Sequence, residues 1–148
     1  MKKVYSELYA EVLLWFHGFN DNHNYELLLN EAFLNDSSND FLLELQERSS
    51  NLLDTRGRFT QYWNYEEKSF DSNIFGKRLF AVLESAYKSN IFSIDQFGKQ
   101  CYQLCKDLPS AIQEKEPFWT LRYADECLSW GDEAQTREIY EKLFSFYK

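Results

Sequence analysis

The side chains best suited to chemistry are one histidine, one cysteine and a pair of adjacent glutamates. His17 could act as a general base, because an unperturbed imidazole titrates near neutral pH. At the end of a predicted helix, it could equally cap the last carbonyl groups. Cys101 could be a nucleophile only if a base lies close to it in space. Glu66 and Glu67 would point in different directions on a helix, so they do not suit a carboxylate pair.

Motifs that usually accompany catalysis are missing from the sequence. It contains no glycine-rich phosphate loop, no histidine pair at helical spacing, and no serine or cysteine nucleophile signature. We therefore predict that the chain is not an enzyme, that it has no catalytic residues and that it needs no cofactor.

The three cysteines stand at positions 101, 105 and 127. An odd number, with two of them four residues apart on one helical face, does not suit a disulfide framework. A zinc site needs four ligands at a recognisable spacing, and the two histidines, His17 and His23, lie far from the cysteines in sequence. We predict that the cysteines are small buried hydrophobic residues and that the chain has no metal site.

The formal net charge of −8 is concentrated in one stretch of the chain. Residues 20–54 hold eight carboxylates against one arginine, Arg48, which gives this stretch a net charge of −7. A nucleic-acid-binding surface needs the opposite sign to neutralise phosphates, so nucleic acid is disfavoured as a partner. An uncompensated acidic surface attracts a basic protein instead.

A helix predicted over residues 40–55 would gather part of this charge on one ridge. Four carboxylates and Asn51 follow one another there at steps of four, three, four and three residues, which is the spacing of a single helical face. A solvated face that contacts only water is the alternative. The candidate partner-binding carboxylates are Asp36, Asp40, Glu44, Glu47 and Asp54.

An aromatic segment follows at residues 56–72, and it could be a short helix or an ordered loop. Gly57 is expected to end the preceding helix. Trp63 and Tyr65 are further candidate partner-binding residues, because tryptophan, tyrosine and arginine are enriched in interface hot spots. The same aromatic rings could instead fill the core.

Helical periodicity dominates the rest of the sequence, and few segments alternate as strands do. The pattern predicts an all-α, single-domain bundle of six or seven helices over residues 1–148, ending in an antiparallel helical hairpin. The predicted helices span residues 4–16, 25–34, 40–55, 73–88 and 93–108, with an irregular turn at 110–115 and the hairpin at 116–148.

Local signals set some of these helices in more detail. The first helix is expected to end at His17 and Gly18, with Phe19 folded back onto that end, and the leucine-rich helix over residues 25–34 is expected to be central. Ser93 and Gln96 can form a capping box for the helix that ends near residue 108. The inner line of that helix is predicted to be Phe97, Cys101, Leu104 and Leu108.

The amino terminus superficially resembles a signal peptide, with two lysines before an apolar stretch. Glu7 and Glu11 interrupt that stretch, and no small-residue cleavage pattern follows it. No run approaches the length of about 18 apolar residues that crosses a bilayer. We therefore predict an amphipathic first helix, no membrane association and a cytoplasmic protein.

The terminal hairpin turns at residues 130–132. Gly131 can adopt the left-handed conformation that closes a helix, and Asp132 with Gln135 can cap the next one. The hairpin resembles one unit of a tetratricopeptide repeat, which implies an αα-hairpin that caps a helical stack. The positions that carry the resemblance are Ala124, Gly131, Tyr140 and Leu143.

In size, helical class and acidity, the chain resembles the small acidic immunity proteins of bacterial contact-dependent and polymorphic toxin systems. The resemblance implies a stoichiometric inhibitor that occludes or distorts the active site of a cognate basic toxin domain, frequently a nuclease. Asp40, Glu44, Glu47 and Asp54 would then pair with lysines and arginines of the toxin.

The alternative function is a helical adaptor or chaperone-like module. Such a module would hold a peptide or a partner helix in a groove beside the terminal hairpin, near Trp119 and Tyr123. The sequence leaves the oligomeric state open under either hypothesis.

Overall fold

The computed structural model describes residues 2–47, 51–65 and 70–148, without the side chains of residues 2 and 62–65. The described chain is all-α, as predicted, and has no strand. Its described residues form nine α-helices, more than the six or seven predicted. It forms two compact units, Met1–Arg78 and Leu79–Lys148, and the single domain over residues 1–148 stays a prediction. Its helices are α1 (Lys2–Phe16), α2 (His23–Asn35), α3 (Asp40–Glu47), α4 (Leu52–Tyr65), α5 (Ser72–Lys88), α6 (Ile94–Lys106), α7 (Ser110–Gln113), α8 (Phe118–Tyr123), a 3₁₀ helix (Ala124–Trp130) and α9 (Glu133–Phe144).

The first unit has an aromatic core built around α1, which lies against α2 and α4. Tyr9 of α1 is buried and contacts the rings of Phe59, Phe70 and Phe75 at centroid distances of 5.6, 5.9 and 5.6 Å. Phe41 of α3 joins the cluster at 5.5 Å from Phe59. Such ring pairs contribute about 0.5–1.5 kcal/mol each beyond the burial of their area.

The end of α1 follows the predicted chain reversal. Gly18 takes a left-handed φ of 79°, where a side chain would be strained. The N–H of Phe19 donates to the carbonyl of Leu14 at 2.9 Å, and that of Gly18 donates to Trp15 at 3.2 Å. These two bonds form a Schellman motif, which satisfies helix-end carbonyls and returns Phe19 to the core.

A buried carboxylate in the middle of α1 was not predicted from the sequence. Glu11 is completely buried. Its two oxygens accept hydrogen bonds from Asn20 Nδ2 at 3.0 Å and from Arg78 Nε at 2.8 Å, and Arg78 also pairs with Glu7 at 3.0 Å. Burial of a charge is costly unless it is paired and hydrogen-bonded, so this network holds α1, its following loop and the start of α5 together.

The predicted helix over residues 40–55 is wrong, because two helices stand in its place. α3 ends at Glu47 and α4 begins at Leu52. Asn51 caps α4, since its side-chain oxygen accepts from the N–H of Asp54 at 3.1 Å. Gly57 does not end a helix but lies inside α4, where its cost of about 1 kcal/mol relative to alanine is small beside the packing of buried Phe59. The segment left open as helix or loop is therefore helical through residue 65.

Helix α2 is buried on one face only, although its leucine-rich sequence suggested a central helix. Its buried residues are Tyr25, Leu29 and Ala32, which follow one stripe. Leu27 and Leu34 are 55% and 82% exposed.

In the second unit, α6 supplies the main apolar stripe, and its start and core were predicted correctly. Ser93 and Gln96 form a reciprocal capping box before the helix. The predicted inner line is buried and consists of Phe97, Cys101, Leu104 and Leu108.

The terminal hairpin is present, but its first arm changes from α to 3₁₀ geometry after Tyr123. Gly98 of α6 allows a close approach here, since a Cβ on it would stand 2.6 Å from the Cβ of Asp125. The buried hydroxyl of Thr136 donates to the carbonyl of Ala124 at 2.9 Å, which ties α9 to the first arm.

The turn of the hairpin matches its prediction. Gly131 has a left-handed φ of 77°, and the N–H groups of Gly131 and Asp132 donate to Leu128 and Cys127. The Asp132 side chain then accepts from the N–H of Gln135 at 3.0 Å and starts α9.

Across the described residues, no helix combines the length and the apolar composition that a membrane span requires.

Candidate functional site

The outer side of α3 carries three of the candidate carboxylates. Phe41, Leu42 and Leu45 bury the inner side of this helix against the first unit. Asp40, Leu43, Glu44 and Glu47 follow at steps of three, one and three residues on the other side. We call Asp40, Glu44 and Glu47 of α3, together with Asp54 of α4, the acidic face.

Glu44 is the member of the acidic face that already has a counter-charge. Its Oε2 accepts from Nε of Arg58 at 2.8 Å, and both side chains are about one-third exposed. The Arg58 guanidinium also lies over the ring of Phe41, 5.3 Å from its centroid. The sequence had suggested that the acidic ridge lacks counter-charges of its own, and Arg58 corrects that expectation for Glu44.

Asp54 reaches the acidic face from a different helix than predicted. It lies in the first turn of α4 and, with Glu44 and Arg58, lines a shallow depression of about 380 Å³ between α3 and α4. Leu53, Gly57 and Gln61 complete its lining. Because Gly57 has no side chain, this depression stays open.

The remaining carboxylates of the acidic face are exposed. Among the residues that the structure describes, no lysine or arginine forms an ion pair with Asp40, Glu47 or Asp54. Asp40 and Asp54 stand in the first turns of α3 and α4, where the helix dipole stabilises a negative charge by about 0.3–1 kcal/mol. These two therefore also stabilise their own helices.

Asp36 lies apart from the acidic face, at the carboxyl end of α2. It is half-buried, and its Oδ2 accepts from Nδ2 of Asn39 at 3.2 Å. Asn39 in turn caps α3 through Leu42 and donates to the hydroxyl of Tyr5. Asp36 thus helps to hold the loop between α2 and α3.

For the aromatic candidates Trp63 and Tyr65, the structure describes the backbone only. The backbone of Trp63 and Tyr65 belongs to α4, and their side chains lie outside the described residues. Glu66, Glu67 and Arg48 lie outside the described residues as well. Phe59, from the same aromatic segment, is fully buried in the core.

The cysteine considered for catalysis lies in unreactive surroundings. Cys101, Cys105 and Cys127 are free and buried, as predicted. Burial raises the pKa of Cys101 well above its usual value and raises the pKa of Cys105 to about 12, which keeps both thiols protonated. His17 follows the last turn of α1, where its N–H donates to Leu13 and its ring contacts Phe16.

Exposed leucines within the acidic segment were missed from the sequence. Leu27, Leu34, Leu43 and Leu53 are 55%, 82%, 43% and 61% exposed. The signal lay in the helical spacing, because a core stripe through Tyr25, Leu29 and Ala32 leaves positions 27 and 34 on another face. The acidic stretch therefore carries exposed apolar groups among its charges.

A second depression, of about 400 Å³, lies in the second unit. Tyr87, Phe92 and Phe97 line it together with Arg137. The Arg137 guanidinium donates to the Tyr87 hydroxyl at 3.4 Å and to Glu133 at 3.1 Å, and these hydrogen bonds raise its pKa. The Arg137 guanidinium is therefore already hydrogen-bonded within the second unit.

Within the described ranges, no group of three or more histidine, cysteine, aspartate or glutamate side chains is arranged to hold a metal ion. No protein-family model, no curated protein and no solved structure matches this chain.

Proposed function

We propose that the chain is an immunity protein, which binds a basic toxin domain through the acidic face and inhibits it without turnover. The observation that carries the proposal is the set of exposed carboxylates on α3 and α4, of which Asp40, Glu47 and Asp54 have no ion pair with any described residue. A basic partner, such as a nuclease that holds phosphate with lysines and arginines, would be complementary to them.

The effect of these charges on binding depends on their burial in the complex. Truncation of one partner in a buried, hydrogen-bonded charge pair typically costs about 2–5 kcal/mol, whereas a rim charge mainly changes the association rate. Glu44 is expected to contribute less than its neighbours, because Arg58 competes for its carboxylate. Asp36, Trp63 and Tyr65 stay predicted contacts of the partner.

The experiment is co-purification with a candidate toxin domain. The chain is expressed with the carboxyl-terminal domain of a large secreted protein encoded by the adjacent gene, and the complex is measured by light scattering and calorimetry. We expect a one-to-one complex whose affinity falls with ionic strength. The double variant Asp40→Lys plus Glu47→Lys should weaken it by about tenfold or more.

A matched control removes the effect of net charge. Glu114→Lys plus Glu141→Lys makes the same change in charge at two exposed positions of the second unit. This control should bind nearly as tightly as the wild type. Equal losses in both double variants, or no loss in either, would remove the acidic face from the contact.

The adaptor hypothesis has one observation in its favour. Trp119 is 42% exposed and packs edge-on against Tyr123 at 4.8 Å, which leaves an aromatic pair at the surface of α8. That function predicts binding that is insensitive to salt and that is lost on Trp119→Ala. The calorimetric series above, extended by this variant, separates the two functions.

A further inference from the structure

Three exposed leucines of α2 and α3 form a second feature of the acidic segment. Leu27 and Leu34 are seven residues apart and therefore share one face of α2, and Leu43 lies on the outer side of α3. We call these three residues the leucine patch. Large exposed apolar side chains grouped in this way are typical of interaction sites, whereas single ones need no explanation.

A hydrogen bond between the helices places the two parts of the leucine patch side by side. Nε2 of Gln46 on α3 donates to Oδ1 of Asn30 on α2 at 3.2 Å. Asn30 stands three residues after Leu27 and four before Leu34, and Gln46 stands three residues after Leu43. Because residues three and four apart are neighbours on a helix surface, all three leucines border this bond.

Carboxylates flank each leucine of the patch. Glu31 is four residues after Leu27 and three before Leu34, and it is exposed. Asp40 and Glu47, two of the three members of the acidic face without an ion pair among the described residues, are three residues before and four after Leu43. The surface therefore alternates apolar anchors with negative charges across two neighbouring helices.

We infer that an amphipathic helix of the basic partner binds at the leucine patch. The apolar side chains of that helix contact the leucines, and its lysines and arginines reach Glu31, Asp40 and Glu47. An amphipathic helix binds a partner surface through apolar anchors on one of its faces, and the flanking charges of the patch select a cationic helix. The inference rests on the proposed function and deepens it, since it names the element of the partner that binds.

A second copy of the chain is a poorer occupant of the same patch. In a symmetric dimer, each copy would present the same carboxylates to the other, and such like-charge contacts cost several kcal/mol. A cationic partner turns the same carboxylates into favourable contacts. The charge around the patch therefore favours a basic partner over self-association.

The test uses synthetic peptides of about 18 residues, roughly five helical turns. The first is an amphipathic helix with leucines on one face and lysines beside them, and the second has the same composition in scrambled order. Fluorescence anisotropy measures the binding of each peptide to the full chain. Leu27→Ser plus Leu34→Ser is the test variant, and Ile91→Ser, at a 75% exposed site of the second unit, is the control.

We expect the amphipathic peptide to bind more tightly than the scrambled one. The double leucine variant should weaken its binding by about tenfold or more, and the isoleucine variant should not weaken it. Because all the substituted side chains are exposed, the variants should keep the wild-type circular dichroism and melting temperature.

The remaining outcomes separate this inference from the proposed function. Unchanged peptide binding by the leucine variant would overturn the inference, while salt-sensitive binding weakened by Asp40→Lys plus Glu47→Lys would leave the acidic face in place. Binding that the leucine variant weakens but charge reversal does not would overturn the basic character of the occupant, and the proposed function with it. A wild-type dimer that the leucine variant converts to a monomer would assign the patch to self-association and overturn the inference.

Discussion

Replacement of Arg78 by alanine is expected to lower the free energy of unfolding of the first unit by about 3 kcal/mol. The fully buried carboxylate of Glu11 would lose its cationic partner and keep only the hydrogen bond from Asn20. Removal of one member of a buried pair typically costs about 3–5 kcal/mol, and the low end applies because the Arg78 side chain is 28% exposed. The carboxylate of Glu7 would lose its arginine as well, but it is partly exposed to water.

Replacement of the other member of the ion pair, Glu11, should cost less. Glu11→Ala leaves the Arg78 guanidinium paired with Glu7 at 3.0 Å and in contact with water, so we expect a loss of about 1.5 kcal/mol. The double variant should be no less stable than Arg78→Ala alone, because it removes the uncompensated buried charge. Lys77→Ala is the matched control on the exposed side of α5, with an expected change within about 0.5 kcal/mol.

Urea unfolding followed by circular dichroism measures these four variants against the wild type. A loss for Arg78→Ala that is no larger than the loss for Lys77→Ala would refute the role of the buried network. A larger loss for Glu11→Ala than for Arg78→Ala would refute the proposed asymmetry.

Three further outcomes follow from the packing. Gly98→Ala should destabilise the second unit by about 1–3 kcal/mol in thermal melts, because its Cβ would stand 2.6 Å from Asp125 Cβ. Gly57→Ala, on the open side of α4, should stabilise the chain by about 0.5–1 kcal/mol in the same melts. Thr136→Val should cost about 1 kcal/mol in urea titrations, since the Ala124 carbonyl loses its buried donor. Burial raises the pKa of the Cys101 and Cys105 thiols, so these two should resist alkylation near neutral pH in the native protein and react only after denaturation. Rapid alkylation of either residue in the native chain, located by mass spectrometry, would contradict this.

Local signals in the sequence were sufficient where a helix end is set by its own neighbours. Gly131 and Asp132 at the hairpin turn, and Ser93 with Gln96 before α6, take the predicted roles because their hydrogen-bond partners lie within a few residues. The all-α class follows from the same periodicity.

Structural features that depend on residues distant in sequence could not be predicted from such local signals. Glu11 looked like a polar interruption of α1, and its partner Arg78 is 67 residues away in sequence. Gly57 looked like a helix end, but the packing of α4 outweighs its intrinsic preference, and α4 begins instead after its cap at Asn51. The exposed leucines required knowledge of which face of α2 the core uses.

In the candidate site too, local helical spacing was predictable and contacts between helices were not. Helical spacing predicted that Asp40, Glu44 and Glu47 share one side of a helix, and they do. The ion pair between Glu44 and Arg58 was not predictable, because it depends on how α4 lies against α3. The function of this surface stays a proposal.

The most direct measurement is the affinity between this chain and a candidate basic toxin domain encoded by an adjacent gene, determined by calorimetry at low and high ionic strength. We predict one-to-one binding that weakens with salt and that falls by about tenfold or more in Asp40→Lys plus Glu47→Lys. Binding that is unchanged by both salt and charge reversal would contradict the central claim that the acidic face recognises the partner.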